Sequence, residues 1–218
     1  MNYPAELLIL SYIIRPYIHR IYGAENIPKD KAFIAAANHA SYMDIFIVPY
    51  ITIRYTNRMF SGLANSRFFK NPFFRYFLRR YKTIPISISK DIGNKSQKKN
   101  NEEAFQKAIK MAKKKFNIII FPEGSRSPTG KIQRGKTGVV KLALILQAPV
   151  LPIGISGAYD ILPKEAILPR LKRADVNIGK PIYFDKYYGR KITKKLLRTM
   201  TDQIMREIAR LSGQRYKA

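Results

Sequence analysis

Short apolar runs alternate with segments of helical spacing along this chain, and this alternation restricts the folds open to it. The apolar runs at 32–37, 118–121 and 150–156 have the length and composition of buried strands. Apolar residues recur at helical spacing in 97–116, and 137–147 is a second predicted helix. Two more strands, at 84–88 and 176–178, and a last helix through 197–211 extend the pattern. Strands that alternate with helices indicate α/β architecture, and 218 residues without an evident linker predict one domain.

The N-terminal segment differs from the rest of the pattern. Residues 4–22 are rich in Ile, Leu and Tyr beside cations, which predicts an amphipathic helix bent at Pro16. Such a helix suits a membrane interface, and it equally suits ordinary packing on the domain. Its apolar run at 7–10 is short and lacks the layout of a signal peptide. We therefore divide the chain into a membrane-associating helix over 1–22 and a main domain over 23–218.

The charge of the chain indicates its partners. Lys and Arg number 41 against 14 Asp and Glu, a net charge of +27, and such a field attracts polyanions. Nucleic acid, an anionic membrane and an acidic substrate carrier all fit. Aromatic residues alternate with cations over 59–81, which suits base stacking, a lipid headgroup surface or the wall of an acyl pocket. No nucleic-acid-binding motif accompanies them, so lipid is favoured and nucleic acid is not expected as a partner.

Two further features of the composition concern metals and membranes. The chain has no cysteine and two distant histidines, so neither a disulfide nor a metal site is expected. The stretches 32–53 and 142–162 lack Lys and Arg, yet both contain proline and polar residues at mid-span. We therefore expect no true membrane span, and a peripheral or monotopic protein on the cytoplasmic side of the membrane.

The segment Asn38-His39-Ala40-Ser41-Tyr42-Met43-Asp44 follows the first apolar run. A neutral imidazole at His39 can take a proton from a hydroxyl, and the carboxylate of Asp44 can fix its tautomer and stabilise the imidazolium. Ser41-x-x-Asp44 is also a variant of the capping box, so Asp44 can merely cap a helix. The two roles are compatible.

A second polar segment, Phe121-Pro122-Glu123-Gly124-Ser125-Arg126-Ser127, ends the most apolar run. Gly124 permits close backbone approach, and the planar guanidinium of Arg126 suits a phosphate. The two serines add hydroxyl donors. The alternative is a Pro-Gly turn in which Arg126 pairs with Glu123.

Residues 130–137 match the phosphate-binding pattern G-x-x-x-x-G-K-[ST]. That motif requires its first glycine directly after a strand, whereas a turn at 127–129 separates Gly130 from the predicted strand. We interpret the match as accidental.

Together these segments resemble the 1-acyl-sn-glycerol-3-phosphate acyltransferases (PlsC-type) and related glycerolipid lysophospholipid acyltransferases. The match comprises Asn38-His39-x-Ser41-x-x-Asp44, the whole of 121–127, Arg134-Gly135-Lys136-x-Gly138 and 148–153, in the family's order over roughly 23–185. The resemblance implies a single α/β domain in which helices flank a mixed β-sheet. Residues 23–218 would then be an acyltransferase catalytic domain.

The activity implied by the resemblance is transfer of a fatty acyl group from acyl-CoA or acyl carrier protein to a lysophospholipid hydroxyl. The expected acceptor is 1-acylglycerol-3-phosphate, giving phosphatidic acid, with no cofactor and with an anionic phospholipid membrane as partner. By the same resemblance His39 is the general base and Asp44 its orienting partner. The acceptor phosphate would meet Glu123, Gly124, Ser125 and Arg126, with further substrate contacts from Asn38, Ser41, Lys82, Lys136 and Pro152.

One part of the family pattern is missing. Where the family carries an arginine for the acceptor phosphate, this chain has Ile88, and Arg80, Lys82 or Lys90 would have to supply the charge. Another lysolipid acceptor therefore stays open. From other classes, a basic nucleic-acid-binding module and a P-loop phosphotransferase remain as alternatives. The sequence leaves acyl-chain length, donor, sn-position and oligomeric state undetermined.

Overall fold

The computed structural model describes residues 9, 11–56, 58–87, 94–163 and 165–217. Within them, seven strands form one sheet in the order β1-β7-β6-β2-β5-β3-β4. The strands are β1 (Ile18–Tyr22), β2 (Ile34–Ala37), β3 (Phe60–Asn65), β4 (Ile84–Ile86), β5 (Asn117–Ile120), β6 (Val150–Ser156) and β7 (Ala174–Ile178). Neighbouring strands are parallel except β6 and β7, which are antiparallel. The mixed sheet confirms the predicted fold class.

Helices cover both faces of the sheet. They are α1 (Asp44–Thr56), α2 (Pro72–Arg80), α3 (Asn94–Lys113), α4 (Gly138–Leu146), α5 (Ala158–Ile161) and α6 (Lys194–Leu211). Side chains of β2 alternate between the faces, because successive residues of a strand point to opposite sides. Ala35 and Ala37 pack in a core shared with α1 and α5, whereas Ile34 and Ala36 pack in a core shared with α3, α4 and α6. No helix in the described part of the chain combines the length and the hydropathy needed to cross a bilayer.

The sheet topology places the ends of all seven described strands that matter for the site at one edge: five carboxyl ends and two amino ends. Strands β2 to β6 run in one direction, so their carboxyl ends share an edge, which we call the carboxyl edge. Because β7 is antiparallel to β6 and parallel to β1, the amino ends of β1 and β7 also lie at the carboxyl edge. Ligands of α/β sheets bind outside the carboxyl ends of the strands.

The helix predicted over 4–22 is wrong in its last part. Residues 11–14 are helical, Arg15–Tyr17 form a 3-10 turn, and Ile18–Tyr22 form β1. Pro16 has no N–H to donate, and the β-branched and aromatic residues after it favour a strand. Ile18 pairs with Ala174, a partner so far along the chain that local periodicity does not reveal it. Residues 1–8 and 10 lie outside the described residues, so the start of this helix stays a prediction.

Only some of the aromatic side chains in segment 59–81 are exposed at the surface. Phe60 opens β3 and is buried, and its ring stacks on that of Tyr81 with 5.1 Å between centroids. Tyr76 on α2 is exposed. The sequence analysis did not predict β3, because its six residues include Ser, Gly and Asn and lack a long apolar run.

Candidate active site

His39 and Asp44 form a hydrogen-bonded pair at the carboxyl edge, just past the end of β2. Nδ1 of His39 lies 3.0 Å from Oδ2 of Asp44, whose side chain is fully buried. The imidazole also stacks on Phe121, with 4.1 Å between ring centroids and an interplanar angle of 18°. A carboxylate partner places the proton on Nδ1, so the unprotonated nitrogen is Nε2. Within the described residues Nε2 has no hydrogen-bond partner, which suits a general base.

Asp44 makes the contacts that both of the roles considered for it require. Its Oδ2 accepts the backbone N–H groups of Ala40 and Ser41, each at 2.7 Å, in addition to contacting His39. Asp44 is the first residue of α1, and Ser41 Oγ accepts the N–H of Met43 at 3.0 Å. The cap therefore holds the loop that carries His39.

Asn38 and Ser41 use their side chains to bind backbone groups. Asn38 Nδ2 donates to the Ile155 carbonyl at 2.9 Å, and Asn38 Oδ1 accepts the Ile155 N–H at 2.7 Å. This side chain thereby mimics one more residue of strand pairing between β2 and β6. Ser41 Oγ donates to the Leu162 carbonyl at 2.8 Å. Both residues position the loop that carries His39, and their contact with substrate stays a prediction.

Glu123 connects the two motif loops. Its Oε1 accepts the His39 N–H at 2.8 Å, and its Oε2 accepts both the N–H and the Nε2 group of Gln133, at 3.0 and 3.2 Å. Burial raises the pKa of Glu123 to about 7, although the hydrogen bonds from His39 and Gln133 act in the opposite direction. Because protein donors occupy both oxygens, Glu123 positions the site, and its contact with the acceptor stays a prediction. Sequence reasoning missed Gln133, which carries no motif signal beyond preceding Arg134.

Arg126 is a buried cation without an anionic partner in the described part of the chain. Its guanidinium carbon lies 3.3 Å from the centroid of the Tyr42 ring, and only 8% of the residue is exposed. Nη1 is buried and has no hydrogen-bond partner among the described residues. The alternative in which Arg126 pairs with Glu123 is therefore wrong. A buried guanidinium with a free N–H is suited to receive an anion such as phosphate. Sequence reasoning missed Tyr42, although it lies inside the first motif.

Gly124 and Lys136 lie against each other beside this cation. Gly124 has a φ of +76°, which favours glycine, and a Cβ built on it would lie 2.7 Å from Lys136 Nζ. The Lys136 N–H donates to the Pro122 carbonyl at 2.7 Å. Ser125 is exposed, and its carbonyl accepts Gln133 Nε2. The structure thus brings Lys136, Gly124 and Ser125 to the Arg126 loop.

Two predicted contacts are not brought to the site. The Lys82 carbonyl accepts Ser61 Oγ at 2.7 Å. Through β5, Ser61 is level with the first residue of β2, at the amino end of that strand. Lys82 therefore lies at the edge of the sheet opposite the carboxyl edge. Arg80 comes just before it, at the end of α2. Pro152 pairs with Ala36 and is buried inside the sheet. Ile88 and Lys90 lie outside the described residues.

The P-loop interpretation of residues 130–137 is wrong. β5 ends at Ile120, and the intervening loop separates Gly130 from any strand end. The Gly130 carbonyl accepts Gln214 Nε2 at 3.2 Å, and a Cβ on Gly135 would lie 2.6 Å from Met205 of α6. This segment is packed against the C-terminal helix and does not wrap a phosphate at a strand-to-helix turn.

The second histidine lies elsewhere and forms no metal site with its neighbours. His19 Nδ1 lies 3.1 Å from Asp175 Oδ1 on the exposed surface of the β1–β7 pair. No group of three or more acidic or histidine side chains in the described ranges is arranged to hold a metal ion. The expectation that the protein needs no metal or cofactor stays a prediction.

Comparisons with known proteins give a consistent result. The sequence model of the acyltransferase family matches residues 19–156. A 1-acyl-sn-glycerol-3-phosphate acyltransferase of Bacillus subtilis is 25% identical over 199 residues, which are 89% of this chain and 88% of that protein. The chloroplastic 1-acyl-sn-glycerol-3-phosphate acyltransferase BAT2 of Brassica napus is 26% identical over 171 residues, 76% of this chain and 45% of that protein. This chain spans about half the length of such plant relatives.

A solved structure is similar over almost the whole chain. The crystal structure of the 1-acyl-sn-glycerophosphate acyltransferase PlsC from Thermotoga maritima superposes with a TM-score of 0.70 at 25% identity. The superposition covers 97% of this chain and 81% of the other.

Proposed function

This chain belongs to the acyltransferase family, and from that premise we propose that it transfers a fatty acyl group from a thioester to the hydroxyl of a lysophospholipid. The observation that carries the proposal is the geometry of His39 and Asp44. The carboxylate occupies Nδ1 at 3.0 Å, and the imidazole presents Nε2 as a base. Such a pair activates an alcohol without a covalent acyl-enzyme, because the alcohol itself attacks the thioester.

The reaction balances with these two residues alone. His39 Nε2 takes the proton of the acceptor hydroxyl. At the same time the hydroxyl oxygen forms a bond to the thioester carbonyl carbon. Asp44 stabilises the imidazolium that results. The tetrahedral intermediate collapses as the carbon–sulfur bond breaks, and the imidazolium returns the proton to the thiolate leaving group. The products are the acylated lipid and the free thiol of CoA or acyl carrier protein.

Arg126 indicates the class of acceptor. Its buried, unpartnered Nη1 and the nearby Lys136 favour a phosphate on the acceptor. We therefore propose 1-acylglycerol-3-phosphate as acceptor and phosphatidic acid as product, with acyl-CoA or acyl carrier protein as donor. The relatives named above carry that activity in their names. A different phosphorylated lysolipid remains the second candidate, because the charge expected at Ile88 is missing.

We place the protein on the cytoplasmic side of the membrane, bound peripherally or monotopically. A net charge of +27 favours an anionic phospholipid surface, and the proposed acceptor resides there. Binding should weaken with salt, because screening shortens the reach of surface charge. Nucleic acid is not a proposed partner, since the aromatic segment that suggested it contributes Phe60 and Tyr81 to the interior.

The test compares acceptors that differ only in the phosphate. Purified protein is incubated with labelled acyl-CoA or acyl carrier protein and with 1-acylglycerol-3-phosphate, other lysophospholipids or monoacylglycerol. We expect transfer to the phosphorylated acceptors and little to monoacylglycerol. Arg126→Lys should raise the acceptor KM or lower kcat, because an ammonium group lacks the planar donor fork.

The control is Arg190→Lys, which makes the same change at an exposed position outside the matched motifs. It should leave the acceptor KM close to that of the unmodified protein. Equal transfer to monoacylglycerol, or an Arg126→Lys defect limited to the acyl donor, would contradict the proposed acceptor site. No transfer to any lysolipid would contradict the proposed function.

A further inference from the structure

The segment between α5 and β7 exposes apolar side chains to an unusual degree. We call residues 165–173 the apolar loop. Within it Ile167 is 94% exposed, Leu168 77% and Leu171 97%. A single exposed leucine is ordinary, but three such side chains within five residues indicate an interaction surface.

The apolar loop projects from the edge that carries the candidate active site. Asp175 at the amino end of β7 pairs with Ser156 at the carboxyl end of β6, so the loop leaves the sheet at the carboxyl edge. The chain entering the loop also contacts the catalytic segment directly. The Leu162 carbonyl accepts Ser41 Oγ at 2.8 Å and the Tyr42 N–H at 3.2 Å. The Arg170 N–H closes the loop on the Ile161 carbonyl at 2.8 Å.

A second exposed apolar group lies at the same edge. Ile9, Tyr12 and Ile13 are 58%, 81% and 56% exposed, and they precede β1. Ile18 of β1 pairs with Ala174 of β7 in parallel, so the residues before each strand emerge side by side. Two exposed apolar segments far apart in sequence therefore leave the sheet at the edge that carries His39.

The charges in the apolar loop indicate which kind of partner surface it binds. Arg170, Lys172 and Arg173 are exposed among the apolar residues, against one acid, Glu165. Apolar tips with cations beside them are typical of segments that insert at the headgroup boundary of an anionic membrane. A partner protein would have to be both apolar and strongly acidic, whereas an anionic bilayer has both properties everywhere.

We propose that the apolar loop inserts into an anionic phospholipid bilayer together with Ile9, Tyr12 and Ile13. Insertion at this edge holds the His39 side of the sheet against the membrane, so that a lysolipid reaches the base from the bilayer. The lipid acceptor in this statement rests on the proposed function, but the insertion itself rests on exposure, charge and position.

The chain contains no tryptophan, so one introduced indole reports a single position. Leu171→Trp is mixed with vesicles of phosphatidylglycerol and phosphatidylcholine. We expect a blue-shifted emission that brominated acyl chains quench and that is weaker with phosphatidylcholine alone. The control is Ile145→Trp, a partly exposed position at the end of α4, close to the amino end of β6 and hence at the opposite edge. Its emission should not shift.

Loss of apolar contact provides a second measurement. Leu168→Gln/Leu171→Gln should lower the vesicle partition coefficient by about tenfold for each leucine that inserts, whereas Ile145→Gln should not. With a short-chain, water-soluble lysophosphatidate, the double leucine variant and the Ile145→Gln control should both turn over as fast as the unmodified protein, because that substrate needs no membrane.

The outcomes separate this inference from the proposed function. Vesicle binding with no shift at Leu171→Trp would overturn the inference, as would a blue shift that depends on protein concentration without lipid. Absence of turnover with the soluble substrate would contradict the proposed function, while a lipid-dependent shift at Leu171→Trp would still support insertion of the loop.

Discussion

The guanidinium carbon of Arg126 lies 3.3 Å from the centroid of the Tyr42 ring, so the cation of one motif rests on an aromatic side chain of the other. This contact fixes the loop that we assign to the acceptor phosphate against the loop that carries His39, the proposed base. Ser127 adds a backbone hydrogen bond to the His39 carbonyl at 2.7 Å. A phosphate bound by Arg126 therefore has a fixed position relative to His39.

The first prediction concerns this stacking contact. Tyr42→Leu should raise the acceptor KM about five- to thirtyfold, because a partly desolvated cation–π contact stabilises by about 1–2 kcal/mol. Tyr42→Phe retains the ring and should stay close to the unmodified protein. Steady-state kinetics with each substrate varied in turn provide the measurement. An equal rise in donor KM would count against a role in acceptor binding.

The second prediction concerns the base. His39→Ala should lower kcat by roughly a hundredfold or more, since a positioned general base contributes that much. The other histidine, His19, is held at Asp175 and cannot replace it. Circular dichroism should show an unchanged fold, and near-normal turnover by the variant would remove the base from the mechanism.

The third prediction separates the two roles of Asp44. Asp44→Asn retains an oxygen that can accept the Ala40 and Ser41 N–H groups, but it lacks the charge that stabilises the imidazolium. We expect a large loss of kcat with a modest loss of stability. Asp44→Ala should lose activity and also about 1–3 kcal/mol of stability, because buried donors are left unpaired. Denaturant unfolding of both variants checks this, and equal stabilities would argue against the cap.

Local patterns in the sequence predicted the central elements well. The strand predicted over 150–156 is β6 (Val150–Ser156), and the helix predicted over 137–147 is α4 (Gly138–Leu146). The pairing of His39 with Asp44 was also foreseeable, because both lie in one short loop after a buried strand. In each case the information lies in adjacent residues, where periodicity and capping chemistry act.

Contacts between distant parts of the chain were not predictable in the same way. The pairing of Ile18 with Ala174 converts a predicted helix into a strand. Asn38 was predicted to meet substrate, yet its amide completes the sheet against Ile155. Lys82 was placed at the site from its proximity in sequence to the missing arginine, and parallel pairing carries it to the other edge. Such positions depend on strand order, which no local pattern determines.

The last prediction concerns the buried carboxyl of Glu123. Its pKa is raised from 4.5 to about 7 by burial, so the folded protein binds this proton more tightly than the unfolded chain does. The stability that this group contributes is complete below about pH 4.5 and is lost as the pH rises through 7. A shift of this size corresponds to at most about 3 kcal/mol.

Glu123→Gln cannot titrate, and its amide leaves one of the donors at His39 or Gln133 without an acceptor. It should therefore be less stable than the unmodified protein at low pH, and the difference should shrink as the pH rises from about 4.5 to about 7 and stay constant above that range. Urea unfolding of both proteins across this range measures the difference, in which all other titrating groups cancel. A difference in free energy of unfolding that stays constant with pH would mean that Glu123 keeps an ordinary pKa in the folded protein.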